Sequence, residues 1–461
     1  MMLNSLFLIV LILYFLSIVS PWSGLTVMIS ALSMIIVICT FFKVSRFVKL
    51  LGSIFLASGL FLLLHSGVRW PHYILSFGPM LDLLMMFTLI PILGIPITLG
   101  KYSSDIQVIL HSKIKTNRHL YMLTSGISYF FSIFMNLATL PMTYYSIKPA
   151  LDGFPVQHSE RFMSRAITRG FAMPLIWAPV TPIVGIVIGV TGVSWISILP
   201  YVIPLSIFGL VLDWYLSSRT SGKHQQNSLA AKEMAAAAST TEKKEPGNPK
   251  RILHILAAII IFIVIVSIAE LLLTYSFLTL VSLLVIPFSF TWALFLKKGR
   301  EFGEAFQKHF QSFSSKMKDQ FFLFLSAGFF ISTIKTSHSI EVVNVWIVDL
   351  IGAIGADFFL MMLPIIPLVF AFLGFHPAVT LALIAETLNP DITHISAHIL
   401  TVAMLSGAAA AFLIGPYNAT IGLMSSIIKQ SSYKVSNWNM PFTLIYIGCT
   451  IIYLLTLQWL A

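Results

Sequence analysis

Two short motifs place proline beside hydroxyl and amide side chains in otherwise apolar stretches of this 461-residue chain. The first is Ala178-Pro179-Val180-Thr181-Pro182, and the second is Gly415-Pro416-Tyr417-Asn418-Ala419-Thr420. Proline and glycine free backbone N–H and C=O groups, which persist in a membrane only where they line a protein cavity or bind something. The two breaks therefore predict a binding site, with helix N-termini facing anions and unwound carbonyls facing cations. The alternative is that each proline only kinks its helix.

Two further polar pairs lie in apolar surroundings. Asn136 and Thr139 are three residues apart, so a helix would place them on one face. At a hairpin tip they would present amide and hydroxyl oxygens to an ion or a substrate, whereas the alternative is hydrogen bonding to their own helix. His376 and Thr380 flank Pro377. Because imidazole titrates near neutral pH, His376 is a candidate carrier of a coupling proton, with capping of the next segment as the alternative.

Charged side chains inside the apolar stretches are few. Lys335 is a candidate counter-charge for an anionic substrate, although a Lys near a helix end also commonly extends to the membrane surface. Asp82 and Glu270 interrupt apolar runs and should be neutral, paired or in a wet cavity. Three arginines recur every four residues and either attract an anion or mark a cytoplasmic helix end: Arg161, Arg165 and Arg169.

The composition is that of a polytopic membrane protein. Hydrophobic residues make up 57% of the chain, charged residues only 10%, and the mean hydropathy is +0.91. These values exclude a water-soluble globule, a disordered chain and a disulfide-rich secreted domain. The net charge of +11 comes from short basic runs between apolar stretches, which orient segments in a membrane and do not indicate nucleic acid binding. The two cysteines, Cys39 and Cys449, form no metal-binding or redox motif.

A helix needs about 20 apolar residues to span a bilayer, and this length guides the division of the chain. The first apolar run lacks a basic start and a cleavage site, so we expect a retained helix there. The apolar segments lie at 3–20, 25–42, 47–64, 73–99, 123–151, 171–199, 201–216, 252–272, 275–295, 321–333, 342–354, 358–375, 378–388, 395–414, 417–428 and 441–460.

The order of segments recurs in the two halves of the chain. Each half contains a basic amphipathic stretch (105–119 and 297–318), an apolar hairpin (123–151 and 321–354), a broken helix (166–190 and 398–428) and a closing helix. The second amphipathic stretch carries Phe302, Phe306, Phe310 and Phe313 at helical spacing, which favours a helix lying on the cytoplasmic membrane surface. Matched broken segments in two halves are typical of internally repeated transporters.

This repeat predicts four regions. Residues 1–100 form N-terminal scaffold helices, and residues 101–216 form the first repeat with its hairpin, broken helix and closing helix. Residues 217–251 are rich in Ser, Gln, Ala and Gly with a positive balance, which indicates a cytoplasmic linker. Residues 252–461 form the second repeat, with scaffold helices, an amphipathic helix, a hairpin and a broken helix.

From about Asp105 onward the chain resembles the ion transporter superfamily, especially its divalent anion:sodium symporter and arsenite permease branches. Those proteins carry a Ser-Asn-Thr-type signature at each hairpin tip and a Pro-Pro-Asn-type signature at each helix break. Here Met135-Asn136-Leu137-Ala138-Thr139 resembles the first tip, and Phe375-His376-Pro377-Ala378-Val379-Thr380 stands where the second is expected. Gly415-Pro416-Tyr417-Asn418-Ala419 resembles the second break, and in the first break Thr181 replaces the Asn. Ala327-Gly328-Phe329-Phe330 resembles the opening of the second hairpin.

The resemblance implies an all-α polytopic membrane fold with two inverted repeats, re-entrant hairpins and broken transmembrane helices. It implies a transport domain that moves against a scaffold like an elevator, in a homodimer. The residues matched to its site, together with the polar and charged candidates above, form one set of predicted substrate- or ion-binding residues: Asn136, Thr139, Pro179, Thr181, Lys335, His376, Thr380, Pro416, Asn418 and Thr420.

These patterns predict a secondary active transporter in the plasma membrane that moves a small, organic anion and uses Na⁺ or H⁺ as coupling ion, with no other cofactor. One alternative is a cation:proton antiporter on the same fold, which would need a buried Asp or Glu beside Asn136 or Asn418. Another is a membrane factor that handles lipid-linked substrates, which would need clustered polar residues at one membrane face. The sequence contains no nucleotide-binding loop, zinc-binding helix or nucleophile elbow, so we do not expect an enzyme.

Overall fold

The structure, a computed structural model, describes residues 2–100, 116–151, 156, 158–221, 249–388, 393 and 395–460. Within these ranges the chain is helical and contains no β-strand. Ten segments of this described part are long and apolar enough to cross a membrane. The predicted all-α polytopic fold is therefore confirmed. Residues 105–115 of the first amphipathic stretch and 222–248 of the linker lie outside the described residues.

The described part of the first half forms helices that follow the predicted apolar segments closely. Two 3₁₀ turns, Asn136–Ala138 and Met173–Ile176, interrupt it. The helices are α1 (Met2–Val19), α2 (Ser23–Phe41), α3 (Arg46–Ser66), α4 (Pro71–Leu75), α5 (Leu81–Leu99), α6 (Asn117–Met135), α7 (Thr139–Leu151), α8 (Ser159–Ala172), α9 (Pro182–Thr191) and α10 (Trp195–Ser221).

The second half is also helical over its described residues. Because α10 continues to Ser221 and the next helix begins at Pro249, both ends of the predicted linker at 217–251 are helical. The helices are α11 (Pro249–Leu272), α12 (Phe277–Phe295), α13 (Gly299–Gln311), α14 (Phe313–Thr336), α15 (Ser339–Ile354), α16 (Ala356–Met362), α17 (Ile366–Phe372), α18 (Pro377–Thr387), α19 (Ala397–Ile414), α20 (Ala419–Ile428) and α21 (Ser432–Leu460).

Hydroxyl side chains mark where several of these helices begin. The Thr116 hydroxyl accepts a hydrogen bond from the N–H of His119 at the start of α6 (3.2 Å). Ser276 and Ser396 cap α12 and α19 in the same way, each at 3.3 Å from the N–H three residues on. Each cap satisfies one of the N–H groups that a first helical turn leaves without an internal partner.

The long helix α14 packs along α3, and small residues let the two helices approach. A Cβ atom at Gly52 would lie 2.3 Å from the ring of Phe322, and one at Gly59 would lie 2.7 Å from the ring of Phe329. Gly328 likewise faces the carbonyl oxygen of Pro79, which would be 2.4 Å from a Cβ atom. The Ala327–Phe330 motif therefore lies inside a long scaffold contact. The prediction that it opens the second hairpin is wrong.

The sequence predicted the second hairpin at 321–354 and its tip at 375–380, and only the tip lies in the segment that packs on the second broken helix. Residues 321–354 fall in α14 and α15, whose axes bend by 85° at the junction near Ser337. The segment that packs on the broken helix α19 comprises α17 and α18, while the preceding short helix α16 packs on α21. Hydropathy alone does not separate these choices, because both stretches are apolar and interrupted.

The aromatic stripe of α13 packs against protein. Phe302 is only 4% exposed, and the rings of Phe306 and Phe310 lie 4.9 Å apart against the core. His309 on the same helix hydrogen-bonds through Nε2 to the carbonyl oxygen of Thr88 in α5 (2.9 Å). The aromatic stripe, which was predicted to lie on the membrane surface, packs α13 against α5 and against the adjacent helices α12 and α14.

Candidate functional site

Two hairpins and two broken helices meet in the interior of the fold. The first hairpin is formed by α6 and α7, which fold back on each other at Asn136, where φ is +46°. A positive φ is uncommon for a residue other than glycine, and it turns the chain sharply here. The return arm α7 packs on α20, the half-helix after the second break, and the return arm α18 packs on α9, the half-helix after the first break. Each hairpin therefore contacts the broken helix of the other half.

Asn418 joins the two halves of the second broken helix. Its Nδ2 donates hydrogen bonds to the carbonyl oxygens of Ala411 (2.8 Å) and Phe412 (3.1 Å) in the last turn of α19. Its Oδ1 accepts a hydrogen bond from the N–H of Ile421 in the first turn of α20 (2.8 Å). One buried side chain thus satisfies backbone groups on both sides of the break.

The neighbouring helix α21 satisfies the remaining carbonyls of α19. Asn439 Nδ2 donates to the carbonyl oxygen of Leu413 (3.1 Å), and Ser436 Oγ donates to that of Ile414 (2.5 Å). The last four carbonyl groups of α19 therefore all accept side-chain hydrogen bonds. Unwound carbonyls at such a break were predicted to face a cation, but these four bind protein groups.

The first break is held by two side chains from α10. Trp195 Nε1 donates to the carbonyl oxygen of Trp177 (2.9 Å), and Ser206 Oγ donates to that of Met173 (2.8 Å). Thr181 precedes α9 and is 4% exposed, but its side chain makes no capping hydrogen bond. The first break thus has an N-terminal half-helix end that lacks the side-chain cap found at the second.

A buried ion pair lies beside the first broken helix. Arg169 Nη1 is 2.9 Å from Asp213 Oδ1, and neither side chain is more than 1% exposed. Tyr121 OH and Ser125 Oγ also donate to this carboxylate, at 2.9 and 3.3 Å. Arg169 Nε in turn donates to Asn439 Oδ1 (3.1 Å). Because Asn439 also bonds the end of α19, one hydrogen-bonded chain runs from α10 through α8 to the second break.

Four buried hydroxyl groups on three mutually contacting helices remain without a hydrogen-bond partner within the described residues. We call this group the hydroxyl set. The helices α7, α8 and α20 contact one another, and α7 carries two of the groups one helical turn apart. Because buried polar atoms are normally hydrogen-bonded, these hydroxyl groups are candidates to bind a solute, an ion or water. The hydroxyl set comprises Thr139 and Thr143 on α7, Ser164 on α8 and Thr420 on α20.

Arg165 brings positive charge to the same helix as Ser164. Its side chain is half-buried, and its Nε is enclosed without a hydrogen-bond partner among the described residues. Arg169, one turn further on, is fully engaged with Asp213. The interpretation of these arginines as markers of a cytoplasmic helix end therefore does not hold for Arg169, which is 1% exposed.

The predicted residues of the second hairpin lie apart from the hydroxyl set. His376 Nδ1 accepts a hydrogen bond from the N–H of Ala378 (3.2 Å), so the imidazole caps α18, and the rings of Phe87 and Phe324 contact it edge-on. Thr380 lies buried one turn into α18.

Lys335 forms an ion pair with Glu386 (2.6 Å) at the surface, with side-chain exposures of 54% and 25%. A buried counter-charge at Lys335 is therefore not observed.

Phe47 connects the scaffold helix α3 to the second hairpin and the second break. Its ring stacks on that of Tyr417, which follows Pro416 in the break, with centroids 5.5 Å apart. Tyr417 OH also hydrogen-bonds to Tyr433 OH at the start of α21. On its other side the Phe47 ring fills the space beside Gly374, where φ is +91° and a Cβ atom would lie 2.0 Å away.

Three residues that organise this region were not predicted from the sequence. Asp213 lies in an apolar segment and could have been flagged as a carboxylate at membrane depth. Asn439 and Ser436 gave no signal, because polar residues near a helix start are ordinary. The sequence did flag Glu270, whose carboxylate accepts hydrogen bonds from the N–H groups of Trp195 (2.6 Å) and Ile196 (3.3 Å) and so caps α10.

Comparison with known proteins shows similarity in fold. No family model matches the chain, and no curated protein matches its sequence. Its structure is similar to that of MtrF from Neisseria gonorrhoeae, described as illuminating a class of antimetabolite efflux pumps, over 87% of this chain and 94% of that one, at 12% identity and a TM-score of 0.56. It is also similar to the Alcanivorax borkumensis YdaH transporter, described as having an unusual topology, over 80% and 83% of the two chains, at 14% identity and a TM-score of 0.50.

These likenesses establish that the chain shares the fold of membrane transporters. At such low identity they say nothing about a substrate or a coupling ion for this protein. The resemblance to the ion transporter superfamily stays a prediction.

Proposed function

We propose that this protein is a secondary active transporter that moves a small organic anion across the plasma membrane, driven by a sodium or proton gradient. The observation that carries the proposal is the reciprocal packing of the hairpins, α7 on α20 and α18 on α9. Broken helices surrounded by hairpins are a recurring way to build a substrate site inside a membrane. This packing also supports the proposed inverted repeats.

The hydroxyl set supplies the polar surface of the proposed site. Thr139 and Thr420 stand on helices from opposite halves of the chain that contact each other. Hydroxyl groups can donate to a carboxylate or present oxygen to a cation, so the set suits either an anion or its coupling ion. Arg165 supplies the positive charge that an anion would require, in place of the predicted Lys335.

The proposal includes an elevator-type movement within a homodimer. The contact of Phe47 with Tyr417 marks a boundary between the scaffold and the hairpin region, and it consists of ring stacking. A boundary of this kind can slide without breaking buried ion pairs. The Arg169–Asp213 network, by contrast, ties α8, α10 and α21 together, as a domain that moves as one body requires.

A cation:proton antiporter is less well supported. Such a protein needs a carboxylate at the breaks that can lose its proton during the cycle. Asp213 is a fully buried carboxylate that Arg169 and Asn439 link to the second break, and it is held by Arg169, Tyr121 and Ser125. Protonation of this carboxylate would leave the buried Arg169 guanidinium without its counter-charge.

Uptake into proteoliposomes tests the proposal. Radiolabelled mono-, di- and tricarboxylates are offered to vesicles with an imposed inward sodium or proton gradient. We expect gradient-dependent uptake by the wild type and at least a tenfold loss in Thr420→Val and Ser164→Ala, about the cost of one hydrogen bond to a charged group. Ser282→Ala, which removes a buried unpaired hydroxyl from α12, serves as the matched control and should retain uptake.

Two results would contradict the proposal. The first is the absence of gradient-dependent uptake of every carboxylate by the folded wild type. The second is an equal loss in Ser164→Ala and Ser282→Ala, which would show that the hydroxyl set has no special role.

A further inference from the structure

An apolar groove of about 570 Å³ opens between α6, α10 and α11, away from the hydroxyl set. Its volume falls in the range of about 300–1,000 Å³ that is usual for ligand pockets. One face of α6 forms its floor, where lining residues recur at intervals of three and four. These floor residues are His119, Met122, Leu123, Gly126, Ile127, Phe130 and Phe131.

The length of the groove matches one leaflet of a bilayer. From His119 to Phe131 the floor spans twelve residues, which is roughly 18 Å at the helical rise per residue. One leaflet of the hydrocarbon core is roughly 15 Å deep. Gly126 at the centre leaves the groove open, because a Cβ atom there meets only Trp214, at 3.9 Å. The opposite wall is formed by Trp214 and the start of α11 at Ile255.

The charges at one end of the groove determine which lipid fits. Arg118 and His119 begin α6 and are exposed, at the end that follows the basic stretch predicted to be cytoplasmic. A groove that is apolar along its length and basic at its cytoplasmic end complements an acyl chain with an anionic headgroup.

We propose that this groove is a specific site for an anionic phospholipid of the cytoplasmic leaflet, with one acyl chain along α6 and the headgroup beside Arg118 and His119. The site is bordered by α6 of the first hairpin and by α11 of the second half of the chain. The inference does not depend on the transported solute, because it concerns a different surface of the molecule.

Quenching of tryptophan fluorescence by brominated lipids tests the site. The full chain is reconstituted into vesicles of phosphatidylcholine in which brominated dioleoyl-phosphatidylglycerol or brominated dioleoyl-phosphatidylcholine replaces part of the lipid. The protein contains nine tryptophans, so the Trp214 signal is taken as the difference between the wild type and Trp214→Phe. The matched control is the difference obtained with Trp292→Phe, since Trp292 is buried on α12 between Phe134 and Phe288.

We expect half-maximal quenching of the Trp214 signal at about fivefold less brominated phosphatidylglycerol than phosphatidylcholine, the factor expected from one favourable basic contact. Arg118→Gln should remove this preference, whereas Arg300→Gln, which changes an exposed arginine on α13, should keep it. Gly126→Phe should abolish the quenching by filling the groove. Gly448→Phe is its control, since nothing lies within 4 Å of a Cβ atom there.

Three results would overturn the proposal. Equal quenching of Trp214 by the two lipids would show ordinary annular contact. Unchanged selectivity in Arg118→Gln would remove the headgroup assignment, and this exposed substitution remains informative even if Gly126→Phe fails to fold. Displacement of the brominated phospholipid by stoichiometric oleate, a free fatty acid, would assign the groove to a single-chain amphiphile.

Discussion

Arg169 and Asp213 form an ion pair of 2.9 Å in the interior of a chain in which only 10% of residues are charged. The carboxylate also accepts hydrogen bonds from Tyr121 and Ser125, and the guanidinium lies 4.8 Å from the centroid of the Phe442 ring. Desolvating two charges is costly, so such a pair is favourable only when its remaining donors and acceptors are satisfied.

Removing one partner of this pair should be strongly destabilising. In Asp213→Asn the guanidinium stays buried without its counter-charge, and we expect a loss of about 3–5 kcal/mol in the free energy of unfolding. The double variant Arg169→Met/Asp213→Leu should recover much of this loss, because no uncompensated charge remains. Unfolding in mixed detergent micelles measures both values. A double variant as unstable as the sum of its single variants would contradict this account.

Asn418→Ala should destabilise the protein even without any solute. The substitution leaves the carbonyls of Ala411 and Phe412 and the N–H of Ile421 without their partner, at a cost of about 1–3 kcal/mol. Asn344→Ala, at a half-buried position on α15, is the matched control and should change stability little. If Asn418→Ala instead unfolds like the wild type and loses only transport, the side chain acts mainly on the solute.

Gly170→Ala should separate α6 from α8. A Cβ atom at Gly170 would lie 2.2 Å from the carbonyl oxygen of Ser125, and backbone cannot move aside cheaply. We expect a loss of about 1–3 kcal/mol, typical of overpacking. Gly189→Ala on α9 meets nothing within 4 Å and should be neutral or gain up to about 1 kcal/mol from helix propensity. Thermal unfolding of the two variants side by side checks this, and equal midpoints would contradict it.

Lys335→Gln should leave both stability and transport nearly unchanged. Its partner Glu386 is 25% exposed and Lys335 itself 54% exposed, and exposed ion pairs contribute under about 1 kcal/mol. Arg165→Gln should, in contrast, weaken uptake of an anionic substrate. Michaelis constants for the two variants in proteoliposomes distinguish the assignments. A large rise for Lys335→Gln would restore the role predicted from the sequence.

Local signals determined much of the architecture. Hydropathy located the spanning segments, and proline with glycine located both helix breaks, because each effect acts within a few residues of the chain. The turn at Asn136 was also recognisable from polar residues in an apolar run. For the second hairpin the sequence offered both 321–354 and a tip at 375–380, and the packing of α18 on α9 distinguishes them.

The candidate site depended more on tertiary structure. The sequence by itself determined that Thr139, Thr420 and Asn418 are polar groups at membrane depth. Only the fold decided that the Asn418 side chain hydrogen-bonds to backbone groups, while the two threonines have no partner among the described residues. The fold also brought Arg169 to Asp213 and Asn439, which lie 44 and 270 positions away in the chain. The physical reason is that the cost of a buried polar group depends on its partners, and distant helices supply those partners only after the chain has folded.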